Sequence, residues 1–254
     1  MNIENKFLGQ VDSVTTLAGD IDKLRAESIV ESFTDWSQTG DLDDFKRWFL
    51  KQQRDCSLSY TDIPLLDCKG WRYNETLGRF EHDSKEFFYL QGLRITNTID
   101  REVVGGWDQP IITQVGFNGG ILGLLRAKIN GIPHYLVESK AEPGNPDKVQ
   151  ICPTLQATFS NIKQAHGGKR PRFVEFFEHR DGSESDTLFC QWMSEDGGRL
   201  HQKRNKGILV EVAISEFPTE LPETFRWVSL FQLKELIKQN SWVSPHIRGV
   251  ISHL

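Results

Sequence analysis

Two charged residues stand where proton chemistry is plausible. Lys140 and Glu142, in ESKAEPGN, bracket what reads as the end of a strand and open a Pro-Gly turn. A Lys–Glu pair on such a loop can supply a base and an electrostatic stabiliser, or it can be an ion pair that closes the strand. Downstream, PTLQATFSN carries Gln156, Thr158 and Asn161, uncharged groups suited to hydroxyl and carbonyl oxygens; Thr158 equally suits a helix cap. Histidine titrates nearest neutral pH. His166 precedes Gly-Gly in a loop and is the more suggestive one, His134 lies in a strand and reads better as a satisfied core or edge histidine, and His82 sits in a lead-in loop. Basic residues gather in two places, Lys163, Lys169, Arg170 and Arg172, then Arg199, Lys203, Arg204 and Lys206. Most of these read as solvated surface. Arg204 with Asn205, inside KRN, is the pair best placed to hold phosphate oxygens, which arginine takes in bidentate fashion. Trp107, in WDQP, offers a stacking surface or ordinary core packing.

Those residues need elements to carry them. The spacing predicts a helix over 18–33, from Ile21, Leu24, Ile29, Val30 and Phe33, and a second begun by Asp41, with Leu42, Phe45, Trp48 and Phe49 at helical spacing. Pro64, Gly70 and Gly78 make 56–80 read as irregular. From 86 onward the chain becomes a series of short β-rich runs: EFFYLQGLRI, PIITQVGF, GGILGLLRAKI, IPHYLVESK, DKVQIC, RFVEFFE, TLFCQWM and KGILVEVAI. Two helices interrupt or follow them, one over 157–165 and one begun by the S-x-x-Q capping box of Ser229 and Gln232. The expected class is α+β, with a helical lead-in over 1–60 and a mixed-sheet module flanked by helices over 61–254.

Bulk properties narrow the function. With 254 residues the chain can bury a sizeable core, and a net charge of -5 argues against a nucleic-acid backbone or an anionic membrane as main partner. Four cysteines, none in C-x-x-C, and no histidine pair at zinc spacing argue against a structural metal and suggest free thiols in a reducing compartment. MNIENKFLGQVDS lacks the apolar run of a signal peptide, and no stretch approaches the roughly 20 apolar residues of a membrane span. The expected location is the cytoplasm.

Taken in order, K-x-EPGN, PT-x-QAT-x-SN, HGG and KRN resemble the NDP-hexose 2,3-dehydratases, enzymes of deoxysugar biosynthesis, over roughly residues 60–254. The resemblance implies a Nudix-like module, of which the family's usual members carry two in tandem and this sequence one. It implies loss of water across C2 and C3 of an NDP-4-keto-6-deoxyhexose, with dTDP-4-keto-6-deoxyglucose the expected substrate. The C4 ketone acidifies the C3 proton, a base removes it, donors hold the enolate, and an acid helps the C2 hydroxyl leave. The catalytic candidates are then Lys140, Glu142 and His166. The substrate-binding candidates are Trp107, Gln156, Thr158, Asn161, Arg204 and Asn205. No metal and no redox cofactor is demanded. The Glu-dense helix that holds Mg²⁺ in Nudix hydrolases has no counterpart in ATFSNIKQA, which contains no acid. A homodimer is expected, pairing two single modules. A non-catalytic sugar-nucleotide-binding half that needs a partner chain is the other reading.

Overall fold

The computed structural model describes residues 2–116, 118–165, 167–218 and 220–254. The lead-in folds as α1 (Ile3–Ala18), α2 (Lys23–Phe33) and α3 (Leu42–Asp55). The continuous helix expected over 18–33 is corrected: the chain leaves α1 at Gly19, whose φ is 72°, and α2 restarts on Asp22, whose side chain accepts from the Arg25 amide at 2.9 Å. Asp41 does begin α3, through a capping box with Asp44. Phe7 and Val11, four residues apart on α1, pack with Ala26, Val30 and Trp36 onto Ile132 of the main sheet. Phe45 and Phe49 of α3 lie inside the main core.

The segment expected to be irregular holds two strands. β1 (Trp71–Asn74), β2 (Arg79–His82), β3 (Phe88–Ile95) and β4 (Trp107–Gln114) form an antiparallel meander. Four-residue strands whose burial does not alternate carry too little periodicity to be read from sequence.

The larger sheet contains β5 (Asn118–Ile129), β6 (Ile132–Ala141), β7 (Val149–Pro153), β8 (Leu155–Thr158), β9 (Thr187–Ser194), β10 (Arg204–Val212) and β11 (Phe225–Val228). Its main order is β11-β6-β5-β10-β9, with β10 parallel to β5 and the other pairs antiparallel. The mixed sheet expected from the sequence is therefore present. β5 and β6 turn through Asn130 and Gly131, both at positive φ, as an Asn-Gly hairpin requires.

Beyond Leu125 and Leu136 that hairpin forks. β8 pairs with β5 and β7 with β6, so two short strands fill the gap. Thr154 sits buried at the crotch, its hydroxyl accepting from the Leu125 amide at 2.9 Å and donating to the Leu136 carbonyl. The helix expected over 157–165 is corrected to this strand followed by one turn, α4 (Phe159–Ile162), because the backbone of 155–158 is taken up by β5. RFVEFFE is not a strand either. It forms a 3₁₀ turn at Val174–Phe176 whose Phe177 ring lies against Gly123, where a Cβ would meet it at 2.6 Å. α5 (Leu230–Ile237) starts on the Ser229–Gln232 box as expected, and α6 (Pro245–Ile251) closes the core.

Candidate active site

The fork opens a cleft of about 280 Å³ walled by Glu142, Gln156, Thr158, Asn161, Glu195, Lys203, Asn205 and His246, over Ile121, Leu122 and Ala157. Glu142 arrives just past the end of β6, and Gln156 and Thr158 lie on one face of β8. Glu195 and Lys203 come together because the Glu195 amide donates to the Lys203 carbonyl at 3.0 Å, just past the end of β9 and just before the start of β10. Gly119 and Gly120 make this approach possible. A Cβ on Gly119 would strike Asn205 and Lys203, and one on Gly120 would strike the Ala157 carbonyl.

A chain of hydrogen bonds runs across the cleft. Gln156 Nε2 donates to both Glu142 oxygens, at 3.1 and 3.0 Å. Gln156 Oε1 faces His246 Nδ1 at 3.1 Å, and His246 Nε2 faces Glu195 Oε1 at 3.2 Å. Asn205, itself buried, donates Nδ2 to the same Glu195 oxygen. The His246 contact, working against burial, holds the Glu195 carboxyl below the usual carboxylate range.

Of the residues singled out from sequence, Glu142, Gln156, Thr158, Asn161 and Asn205 meet in this cleft. Thr158 also caps α4, accepting from the Asn161 amide at 3.2 Å. Lys140 lies behind it, donating Nζ to the Gln156 carbonyl at 3.0 Å and standing 3.6 Å from Glu138. Burial raises the Glu138 carboxyl, and Lys140 opposes that. Arg204 is exposed and turned the other way, its Nε donating to Asn118 at 2.7 Å and its guanidinium 4.7 Å from the centre of the Trp192 ring. Strand alternation gives the reason: Asn205, the next residue of β10, faces the cleft, so Arg204 cannot. Trp107 is half-buried and donates to Gln109 Oε1 at 2.7 Å, and Gln109 donates to the Gly198 carbonyl at 2.9 Å. Trp107 thus braces the 196–202 loop rather than lining the cleft. His166 lies outside the described residues. His134 is fully buried, accepting from the Gln38 amide at 2.9 Å and facing the Ile132 carbonyl at 2.9 Å, with its basicity lowered by burial. It is a core histidine, as its strand position suggests. Cys152 is buried too, its thiol pushed up to about 12 by burial.

Sequence reasoning does not reach His246, nor the role of Lys203 and Trp71. Ser244-Pro245 does mark a helix start, with Ser244 as N-cap and proline at the first position. Yet the partners of His246 lie 51 and 90 residues away. What brings it in is the bridge between Ile151 and Val243, which pins the start of α6 to β7.

A second groove, about 420 Å³, shares Thr158, Asn161 and Lys203 with the cleft and continues to Trp71, His82, Phe87, Phe88 and Gln114 of the small sheet. Phe88 is 45% exposed and tilted against Trp71, with ring centres 4.8 Å apart. The two sheets are held in this relation by the 196–202 loop, where the Ile112 amide donates to the Arg199 carbonyl at 3.0 Å and His201 returns a bond to Ile112 at 2.8 Å. Among the described residues no group of His, Cys, Asp and Glu is arranged to hold a metal ion, and no helix is long and apolar enough to cross a membrane.

A family profile described as NDP-hexose 2,3-dehydratase matches residues 42–254. Three curated relatives, each named a dTDP-4-dehydro-6-deoxy-alpha-D-glucopyranose 2,3-dehydratase, are similar over most of this chain. The Amycolatopsis orientalis protein is 32% identical over 84% of it, the Saccharopolyspora spinosa protein 34% over 82%, and the Streptomyces violaceoruber protein 34% over 83%. The chain spans 44%, 41% and 46% of their respective lengths. Among solved structures, the Nudix hydrolase RenU of M. Smegmatis aligns with a TM-score of 0.33 at 18% identity, over 55% of this chain and 89% of that one.

Proposed function

The chain belongs to the NDP-hexose 2,3-dehydratase family, and we propose that it is a cytoplasmic lyase that removes water across C2 and C3 of dTDP-4-keto-6-deoxyglucose. The observation that carries this reading is the cleft itself. Carboxylates, amides, an ammonium and an imidazole from five separate stretches of chain converge on a small space with an apolar floor, which is the usual form of a site for a polar reactant.

Glu142 takes the C3 proton, which the C4 ketone makes acidic. Asn161 and Lys203 are the donors on the cleft wall nearest the aromatic groove and stabilise the enolate oxygen. Lys140, held against the Gln156 carbonyl, contributes positive charge from behind. Each such group is worth roughly 10² to 10⁴ in rate. Thymine stacks in the adjoining groove on Trp71 and Phe88, and the diphosphate passes Lys203 where groove and cleft meet. The reaction consumes no oxidant and no reductant, so it needs no redox cofactor, and we assign it no metal.

The test is consumption of dTDP-4-keto-6-deoxyglucose by the purified chain, followed by NMR of the sugar protons. Wild type should dehydrate it, and Glu142→Gln should slow turnover by about 10² or more while remaining folded. A chain that binds thymidine diphosphate yet leaves the ketosugar untouched supports the second reading, a sugar-nucleotide-binding half that acts with a partner. The share of the relatives' length that the chain spans keeps that reading in view, and a homodimer is the assembly that would restore two modules.

A further inference from the structure

The geometry points to His246 as the general acid of this cleft, held as an imidazolium between Gln156 and Glu195, with the Nδ1 proton the one it delivers. The inference rests on the dehydratase reading for its reaction but on hydrogen-bond logic for the charge. A carboxylate only accepts hydrogen bonds, so the Gln156 group that meets both Glu142 oxygens at 3.1 and 3.0 Å is its NH₂. The opposite orientation would set a carbonyl against a carboxylate. The Gln156 carbonyl therefore faces His246 Nδ1 at 3.1 Å, and since a carbonyl also only accepts, Nδ1 carries hydrogen. His246 Nε2 meets a Glu195 carboxylate oxygen at 3.2 Å, so Nε2 carries hydrogen as well. A ring with hydrogen on both nitrogens is cationic.

The surrounding charges are consistent with that state. Glu195 touches the ring directly and Glu142 reaches it through Gln156, while Lys203 is the cation on the same wall. The first turn of α6, to which His246 belongs, works against a cation with its N–H groups. Asn205 locks the Glu195 oxygen that anchors Nε2.

The two protons are not equivalent. Nε2–H is held by an anion, whereas Nδ1–H rests on a neutral amide carbonyl, the weaker of the two acceptors. An oxygen that gains negative charge as its bond to carbon breaks can displace that carbonyl. The step then balances. Glu142 removes the C3 proton and leaves an enolate. Its electron pair forms the C2=C3 bond as the C2–O bond breaks, and the departing oxygen takes the Nδ1 proton and leaves as water. Glu142 ends protonated and His246 neutral, and one proton passed back through solvent restores both. In this scheme Glu195 is a positioning residue.

An acid and a base fail differently. In D₂O, His246→Gln should lose dehydration by about 10² or more yet still exchange the C3 hydrogen of the ketosugar, because proton removal needs only Glu142. Glu142→Gln should lose both. A His246→Gln protein that keeps its fold and its thymidine diphosphate binding but no longer exchanges C3 would overturn the assignment, as would one that dehydrates at the wild-type rate. A second readout does not depend on turnover. Nitrogen-15 NMR of the wild-type chain at neutral pH, assigned by the signal missing in His246→Gln, should show two protonated ring nitrogens. Glu195→Gln should convert that pattern to a neutral ring. An unprotonated nitrogen in wild type refutes the imidazolium whatever the activity. Absence of both exchange and dehydration in a wild type that shows the imidazolium pattern counts against the dehydratase reading instead.

Discussion

Lys203 and Arg204 are neighbours with the same charge, and they face opposite ways at the start of β10. Lys203 lines both the cleft and the aromatic groove, while Arg204 lies over Trp192 on the other face. On the proposed placement of the nucleotide, Lys203→Ala should weaken thymidine diphosphate binding and Arg204→Ala should leave it near wild type. Trp71→Ala removes the stacking surface. Stacking on an aromatic side chain is worth about 1–3 kcal/mol per base, so affinity should fall roughly 5- to 150-fold. Trp107→Phe, which acts on the 196–202 loop through Gln109, should not touch binding to that extent. Calorimetry with thymidine diphosphate reads all four; the reverse ranking, with Arg204 and Trp107 the sensitive positions, would move the nucleotide to the outer face of β10. At this scale the sequence supplied five cleft residues, because polar groups packed among Gly and Pro are visible as an anomaly. It could not supply His246 or Trp71. Each stands in a short local context that carries no sign of chemistry, and each reaches the site only through contacts made across the fold.

At the scale of elements, the fork between β5 and β6 creates the site, and one hydroxyl holds its crotch. Thr154 bonds the Leu125 amide and the Leu136 carbonyl at the point where those strands part. Thr154→Val keeps the shape and leaves both backbone groups buried without that partner. Such a loss costs about 1–3 kcal/mol. Chemical denaturation should show an unfolding free energy lower by that amount, and an unchanged value would mean that the fork closes up without the hydroxyl. The same fork explains which elements could be anticipated. Long strands such as β5 and β6, and helices opened by Asp41 or Ser229, announce themselves by period and cap. LQAT could not be told from a helix start, since its strand character comes wholly from pairing with β5. RFVEFFE looks like a strand by composition, and the space above Gly123 makes it a turn.

Across the whole molecule, the lead-in helices are joined to the sheet by buried charge as well as by Phe7 and Trp36. Arg126 of β5, 1% exposed, reaches Glu27 and Glu31 of α2 and Glu211 of β10, and Lys128 meets Glu27 at 3.1 Å. Burial pushes the Glu31 carboxyl up to about 7 despite Arg126 at 3.2 Å and the Tyr135 hydroxyl at 3.0 Å. Formal charge makes sense of this. Arg126 and Lys128 are balanced by Glu27 and Glu211, so a third carboxylate is surplus, and its proton relieves the excess. Burial also works on Glu27, but Arg126 and Lys128 outweigh it and leave that carboxyl low. A carboxyl whose folded value is raised favours the fold while protonated, and that contribution is lost as pH rises toward and through about 7. Glu31→Gln cannot ionise and so escapes the loss, while Glu27 is common to both proteins and cancels from their difference. Measured against wild type, Glu31→Gln should therefore be most destabilising near pH 5 and less so, or stabilising, near pH 8. The change between the two is bounded at about 3 kcal/mol. Urea unfolding of both proteins at the two pH values decides it. A difference that stays constant would mean that Glu31 holds the same charge throughout, and a difference that grows with pH would mean that Arg126 needs all three carboxylates ionised.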